Sequence, residues 1–177
     1  MKKYEFTGET KEIKLLFRTA VLHRIRATVS FGFVKIGDLG GWIEKEENLS
    51  HEGKAWVCGD AEVWGNAEVC GDAEVCGDAK VWGNAKVWGN AKVFSASHVL
   101  VIGAIGSRND FTTFYRDKDN EITVKCGCFL GKIDRFLEKV TQTHGDSKYA
   151  LVYRAAVEVA KLQIDLSGEA PKDADEE

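Results

Sequence analysis

The segment Gly106–Asp110 concentrates the polar chemistry of this chain. It reads GSRND, placing Ser107, Arg108, Asn109 and Asp110 in one turn behind a glycine. Backbone N–H groups at such a turn, joined by a guanidinium, suit a phosphate or a carboxylate. Thr112, Thr113 and Tyr115 follow with three more hydroxyls. Lys125, together with Arg24 and Arg26 on one face of an alternating segment, adds positive charge. Trp42 or Tyr115 offers a ring on which a base can stack, a contact typically worth about 1–3 kcal/mol. These residues form the candidate ligand site. The same residues also fit a solvated turn closed by an Asp–Arg pair and a solvated strand face. Both readings stand at the level of sequence.

Catalytic and metal chemistry is less well supplied. Lys125–Cys128 reads KCGC, with two cysteines on one strand face. A metal site needs further soft ligands nearby, and the chain has neither a CxxC nor a second cysteine pair. Packed cysteines or a bulge at Gly127 fit better, so no metal is expected. His23, His51, His98 and His144 are the candidate general bases. None lies within a clean repeat. No catalytic residue is assigned, no cofactor is expected, and the reading leans away from an enzyme.

The element that must position these groups is a repeat. Ala55–Ala96 runs AWVCGD, AEVWGN, AEVCGD, AEVCGD, AKVWGN, AKVWGN and AKVFSA. A fixed short period means identical turns stacked along an axis. Gly with Asp or Asn closes each unit but the last, which is turn chemistry. The pattern resembles the hexapeptide repeat of left-handed parallel β-helices. That resemblance implies three hexapeptides per eighteen-residue coil, with Val and Ala inward.

The position before each Val tests this spacing. It reads Glu62, Glu68, Glu74, Lys80, Lys86, Lys92. Stacked strands lie roughly 4.8 Å apart, so an offset of eighteen sets Glu62 on Lys80, Glu68 on Lys86 and Glu74 on Lys92. All are opposite in sign, whereas an offset of twelve sets like charges together. The position after each Val reads Cys58, Trp64, Cys70, Cys76, Trp82, Trp88, Phe94 and should face outward. Such a surface is either covered by flanking segments or sister subunits, or free to stack a ligand.

Composition bounds the rest. With 44% hydrophobic and 29% charged residues, 177 residues support one or two small cores. The net charge of −4 gives no reason to expect direct nucleic-acid binding, although residues 1–36 hold eight Lys or Arg against three acids. Five cysteines, three of them interchangeable with Trp or Phe in the repeats, point to a reducing cytosol rather than a disulfide framework. Cys58 and Cys76 would nevertheless stack at a separation a disulfide tolerates. No apolar run approaches the roughly 20 residues of a membrane span, and the first residues carry no signal peptide.

The chain divides into a β-rich segment (1–50), the repeats (51–102), an α+β cap (103–166) and an acidic tail (167–177) expected to be disordered. Helices are expected over Ile133–His144, stopped by Gly145, and from about Lys148 to Gln163. The fold class is mainly β: a left-handed parallel β-helix between a β-rich N-terminal segment and a small β-β-α-α unit.

The flanks GDLGGWIEKEENLSHEG (Gly37–Gly53) and IGSRNDFTTFY, ITVKCGCFLGKIDRFL and HGDSKYALVYRAAVEVAK (within Ile105–Lys161) resemble a family of phage and prophage proteins that bracket variable numbers of GDA/GNA hexapeptides. The resemblance implies a phage-encoded protein, the likeness of the repeats a homo-oligomer with a trimer favoured, and cysteine usage a cytoplasmic location. Its expected function is non-enzymatic binding in counter-defence. It would sequester a small anionic, nucleotide-type immune signal or block a host defence protein. A CoA-dependent acyltransferase and a structural phage or scaffold protein are the alternatives.

Overall fold

The computed structural model describes residues 1–167; positions 168–177 of the acidic tail lie outside the described residues. The chain begins with a long antiparallel hairpin, β1 (Tyr4–Lys14) and β2 (Thr19–Ala27). Strand β2 buries Ala20 and Leu22, then changes phase and buries Ile25 and Ala27. The change falls beside an irregularity in its antiparallel pairing with β3 (Leu39–Ile43). In β3 the two adjacent glycines are set by close approach. A Cβ on Gly40 would stand 2.5 Å from Ile25 Cγ1, and one on Gly41 would stand 2.6 Å from the Ala61 carbonyl oxygen.

The repeats contribute seven strands of two residues each. They are β4 (Trp56–Val57), β5 (Glu62–Val63), β6 (Glu68–Val69), β7 (Glu74–Val75), β8 (Lys80–Val81), β9 (Lys86–Val87) and β10 (Lys92–Val93). Pairing between them is parallel at an offset of eighteen: Val57 meets Val75, Val63 meets Val81, Val69 meets Val87 and Val75 meets Val93. The charge pattern follows that register. Lys80 and Lys86 lie 3.9 Å from Glu62 and Glu68, and Lys92 lies 2.5 Å from Glu74. The repeat valines and alanines fill one buried core. Side chains are excluded where turns stack: a Cβ on Gly71, which has a positive φ, would stand 2.9 Å from the Gly89 nitrogen. Cys58 and Cys76 are joined by a disulfide across one such step, with Cα atoms 4.6 Å apart.

The expected fold class is corrected by the sheets themselves. They are small and separate, one mixed, one antiparallel and two of only two or three short parallel strands, and none constitutes a left-handed parallel β-helix. The largest runs β1-β2-β3-β5-β8, and its first half is antiparallel. The physical reason is strand length. A turn every six residues leaves only two residues for pairing, whereas the alternating lead-in makes strands of nine and eleven residues. The C-terminal part also departs from β-β-α-α. It is a four-stranded antiparallel meander of β11 (Val99–Ile105), β12 (Asp110–Arg116), β13 (Ile122–Cys126) and β14 (Phe129–Lys132). The stretch read as one strand folds back at Gly127, whose φ is +55°.

Helices α1 (Ile133–His144) and α2 (Lys148–Gln163) pack on this sheet. Phe136 and Val140 of α1 and Ala150, Tyr153, Val157 and Ala160 of α2 are buried against Phe114 and Val124. Gly145 takes a positive φ after α1 and donates its N–H to the Thr141 carbonyl, as its place after the apolar stripe predicts. Neither helix is long and apolar enough to cross a membrane.

Candidate ligand-binding cleft

The repeats run out after β10, and their last coil must be closed by something other than another coil. Strand β12 closes much of it with side chains. Thr113 Oγ1 accepts the Lys86 N–H (3.0 Å), the Tyr115 hydroxyl donates to the Trp88 carbonyl (2.6 Å), and Arg116 Nε donates to the Lys92 carbonyl (3.1 Å). A break in the repeat supplies another seal. The Phe94 N–H, which has no coil above it, donates to His98 Nδ1 at 3.1 Å. In each case a ladder group left open by the ending of the repeat finds a polar side chain, as burial requires.

Between this sheet and the coil corner lies a charged cavity of about 230 Å³. Asn66 and Asn84 form one wall, stacked through their side-chain amides at 3.4 Å. Glu68 and Lys86 form the floor, while Asp110, Lys125 and Gly127 close it from the sheet. Lys125 is the unusual group. It is 5% exposed, lies 4.3 Å above the Trp88 ring, and donates to the Gly127 carbonyl. Among the described residues no carboxylate forms an ion pair with it. Burial, then repulsion from Lys86, pushes its pKa below the usual lysine value. Lys86 reaches the same ring at 5.7 Å, and the buried Trp88 Nε1–H has no partner among the described residues. Arg108 lies over the rim: a Cβ on Gly127 would stand 2.8 Å from its guanidinium.

A buried ammonium without a counter-charge is costly unless something compensates it. An anion entering between Lys125 and Lys86 would do so, with the Asn66 and Asn84 amides as further donors. Next to this cavity, sharing Asn84 and Phe111 with it, is a more apolar groove of about 440 Å³.

The structure thus brings together part of the sequence-predicted set. Asp110 and Lys125 line the cleft and Arg108 stands at its rim, while Ser107 and Asn109 are exposed on the turn. Thr113 and Tyr115 are buried and fasten the sheet to the coil, and Thr112 donates to Cys126 Sγ at 3.3 Å. Arg24, Arg26 and Trp42 belong to the opposite end of the coil. Arg26 pairs with Glu5, and Arg24 lies 5.3 Å from the centre of the Trp42 ring. Trp42 itself packs with Leu22 and Trp64.

Sequence reasoning missed Lys86, Glu68 and the two asparagines as site residues, and offered Trp88 only within an outward row free to stack a ligand. The eighteen-residue register placed Lys86 over Glu68, but nothing in the sequence showed that β12 and β13 would lie across them. The histidines are engaged elsewhere: His51 stacks on Tyr4, His23 on Phe6, and His144 on Tyr153. Asp117, Asp119 and Glu121 also converge, and the Lys132 ammonium binds all three at 2.6–3.0 Å. Comparison with protein-family models and with curated proteins finds no match.

Proposed function

We propose that this chain is a non-enzymatic binding protein that sequesters a small anionic, nucleotide-type molecule. The observation that carries the reading is Lys125, a buried lysine without a carboxylate partner among the described residues, at the wall of a cavity that Lys86 also lines. The anionic group occupies the space between the two ammonium groups. The phage setting and the counter-defence role rest on the resemblance of Gly37–Gly53 and of the segments within Ile105–Lys161, the homo-oligomer on the resemblance of the repeats, and the cytoplasmic location on cysteine usage.

Native mass spectrometry of protein purified from infected, defence-active cells tests this reading. The protein is then denatured and any released small molecule identified. A stoichiometric phosphorylated or carboxylated compound supports it. Protein that is empty, and that fails to take up a mononucleotide such as ADP when incubated with it, contradicts it.

A further inference from the structure

The β1–β2 hairpin ends in a turn that contradicts turn chemistry. Leu15 N–H donates to the Arg18 carbonyl at 2.8 Å, so Leu16 and Phe17 are the two central residues. Such positions favour Gly, Asn or Asp with positive φ. Here the non-glycine residues with positive φ are Asn109 and Asn120, and the tip instead carries two large apolar side chains. Leu16 is 88% exposed and Phe17 is 94% exposed. Rules of local structure are broken where something else requires it.

A complementary feature lies on the same side of the coil. Strand β8 is the last of the five-stranded sheet, and among the described residues no strand covers its far side. The space above it is open: a Cβ on Gly83 would meet nothing within 4 Å. This is the apolar groove of about 440 Å³, walled by Trp82, Leu100, Val101 and Phe111. Trp82 is 60% exposed and Phe111 is 37% exposed. Tip and groove are linked along the molecule. Leu15 packs on the cluster containing Trp64, and Trp64 stacks on Trp82 with centroids 6.0 Å apart.

We infer that Leu16 and Phe17 of one copy insert into the Trp82–Phe111 groove of a second copy, forming a two-fold dimer. Knob and hole share one side of the molecule, so a two-fold axis satisfies both in a single self-complementary contact. The four side chains in both copies would bury on the order of 1,000 Å² in total, the floor for a specific interface. One occupant thus accounts for both unpartnered features. The inference gives the homo-oligomer proposed above as a dimer, in place of the trimer favoured from the resemblance, and rests on that part of the reading, not on the ligand.

Sedimentation and native mass spectrometry of the full chain at 1–100 µM, taken as roughly the range set by ordinary interface affinities, test it with Phe17→Glu and Trp82→Ala. Both side chains are exposed, so far-UV circular dichroism should stay unchanged. The expected result is a dimeric parent, two monomeric variants with dissociation constants at least about tenfold weaker, and a heterodimer when the variants are mixed. In that mixture one intact tip meets one intact groove. A parent that stays monomeric overturns the inference together with the oligomer. An oligomer that Phe17→Glu leaves intact overturns the inference alone. A monomeric parent whose tip binds anionic lipid vesicles assigns Leu16 and Phe17 to a membrane surface and likewise overturns it.

Discussion

The two ends of the coil are closed by different means, and the difference decides where ligand chemistry can sit. At the first end, backbone meets backbone: β3 pairs with β5 in parallel, β2 and β1 extend the same sheet, and Asn48 donates its amide to the Gly65 and Ala67 carbonyls. Strand pairing seals a line, with a cavity of about 540 Å³ beside it lined by Arg18, Glu44, Lys45, Gly65 and Asn66. At the second end, side chains of β12 and His98 reach across to individual ladder groups. Side chains seal points rather than lines. Between those points lie the charged cleft and the apolar groove. The proposed anion cleft lies at the second end.

The contrast is most sharply broken at Gly41. Valine there would drive side-chain atoms into the Ala61 carbonyl and Val57 at 2.6–2.8 Å, where backbone cannot yield. Gly41→Val is expected to cost at least about 3 kcal/mol in urea unfolding. Sealing residues at the other end should cost less. Tyr115→Phe leaves the Trp88 carbonyl unpaired in a buried position, an expected loss of about 1–3 kcal/mol by the same measurement.

A third prediction separates binding from stability. Lys125→Met keeps the length of the side chain and removes an uncompensated buried charge. Its melting temperature should be unchanged or raised, by up to about 2 kcal/mol equivalent, while anion binding falls at least about tenfold.

Acid should loosen both ends through histidine. Burial holds His51 below its ordinary pKa of 6.5 against the pull of Glu46, and burial with the Arg116 guanidinium does the same for His98. Both rings accept a backbone N–H at Nδ1, from Lys3 at 3.2 Å and from Phe94 at 3.1 Å, so both are neutral in the fold. The unfolded chain therefore binds more protons below about pH 6.5, and stability present above that pH is lost as pH falls. His98→Asn, which keeps an acceptor without titrating, should flatten this dependence in pH-resolved melting curves. The smallest effect belongs to the solvent-facing Lys80: Lys80→Glu, setting a like charge beside the partly buried Glu62, which Lys11 also pairs, should cost about 1 kcal/mol.

The repeat made the coil register legible, because charge alternation at Glu62–Lys92 admits one offset and the structure pairs strands at that offset. Helix limits were legible from Gly145 and from apolar spacing. Sheet architecture was not, since hexapeptide periodicity describes turns and says nothing about how long flanking strands pair across them. The cleft was half legible. Arg108, Asp110 and Lys125 stand out as local polar chemistry, but Lys86 and Trp88 look like ordinary repeat positions until β12 and β13 are laid over them. Trp42, chosen as a ring on which a base can stack, lies away from the cleft for the same reason: proximity in this chain follows the eighteen-residue register rather than composition.

The most direct measurement is calorimetric titration of the parent and of Lys125→Met with ADP at two salt concentrations. The account predicts saturable binding to the parent, near one per chain, weakened by salt and lost in Lys125→Met although that variant is folded. Equal binding by both proteins, or none by the parent, would contradict it.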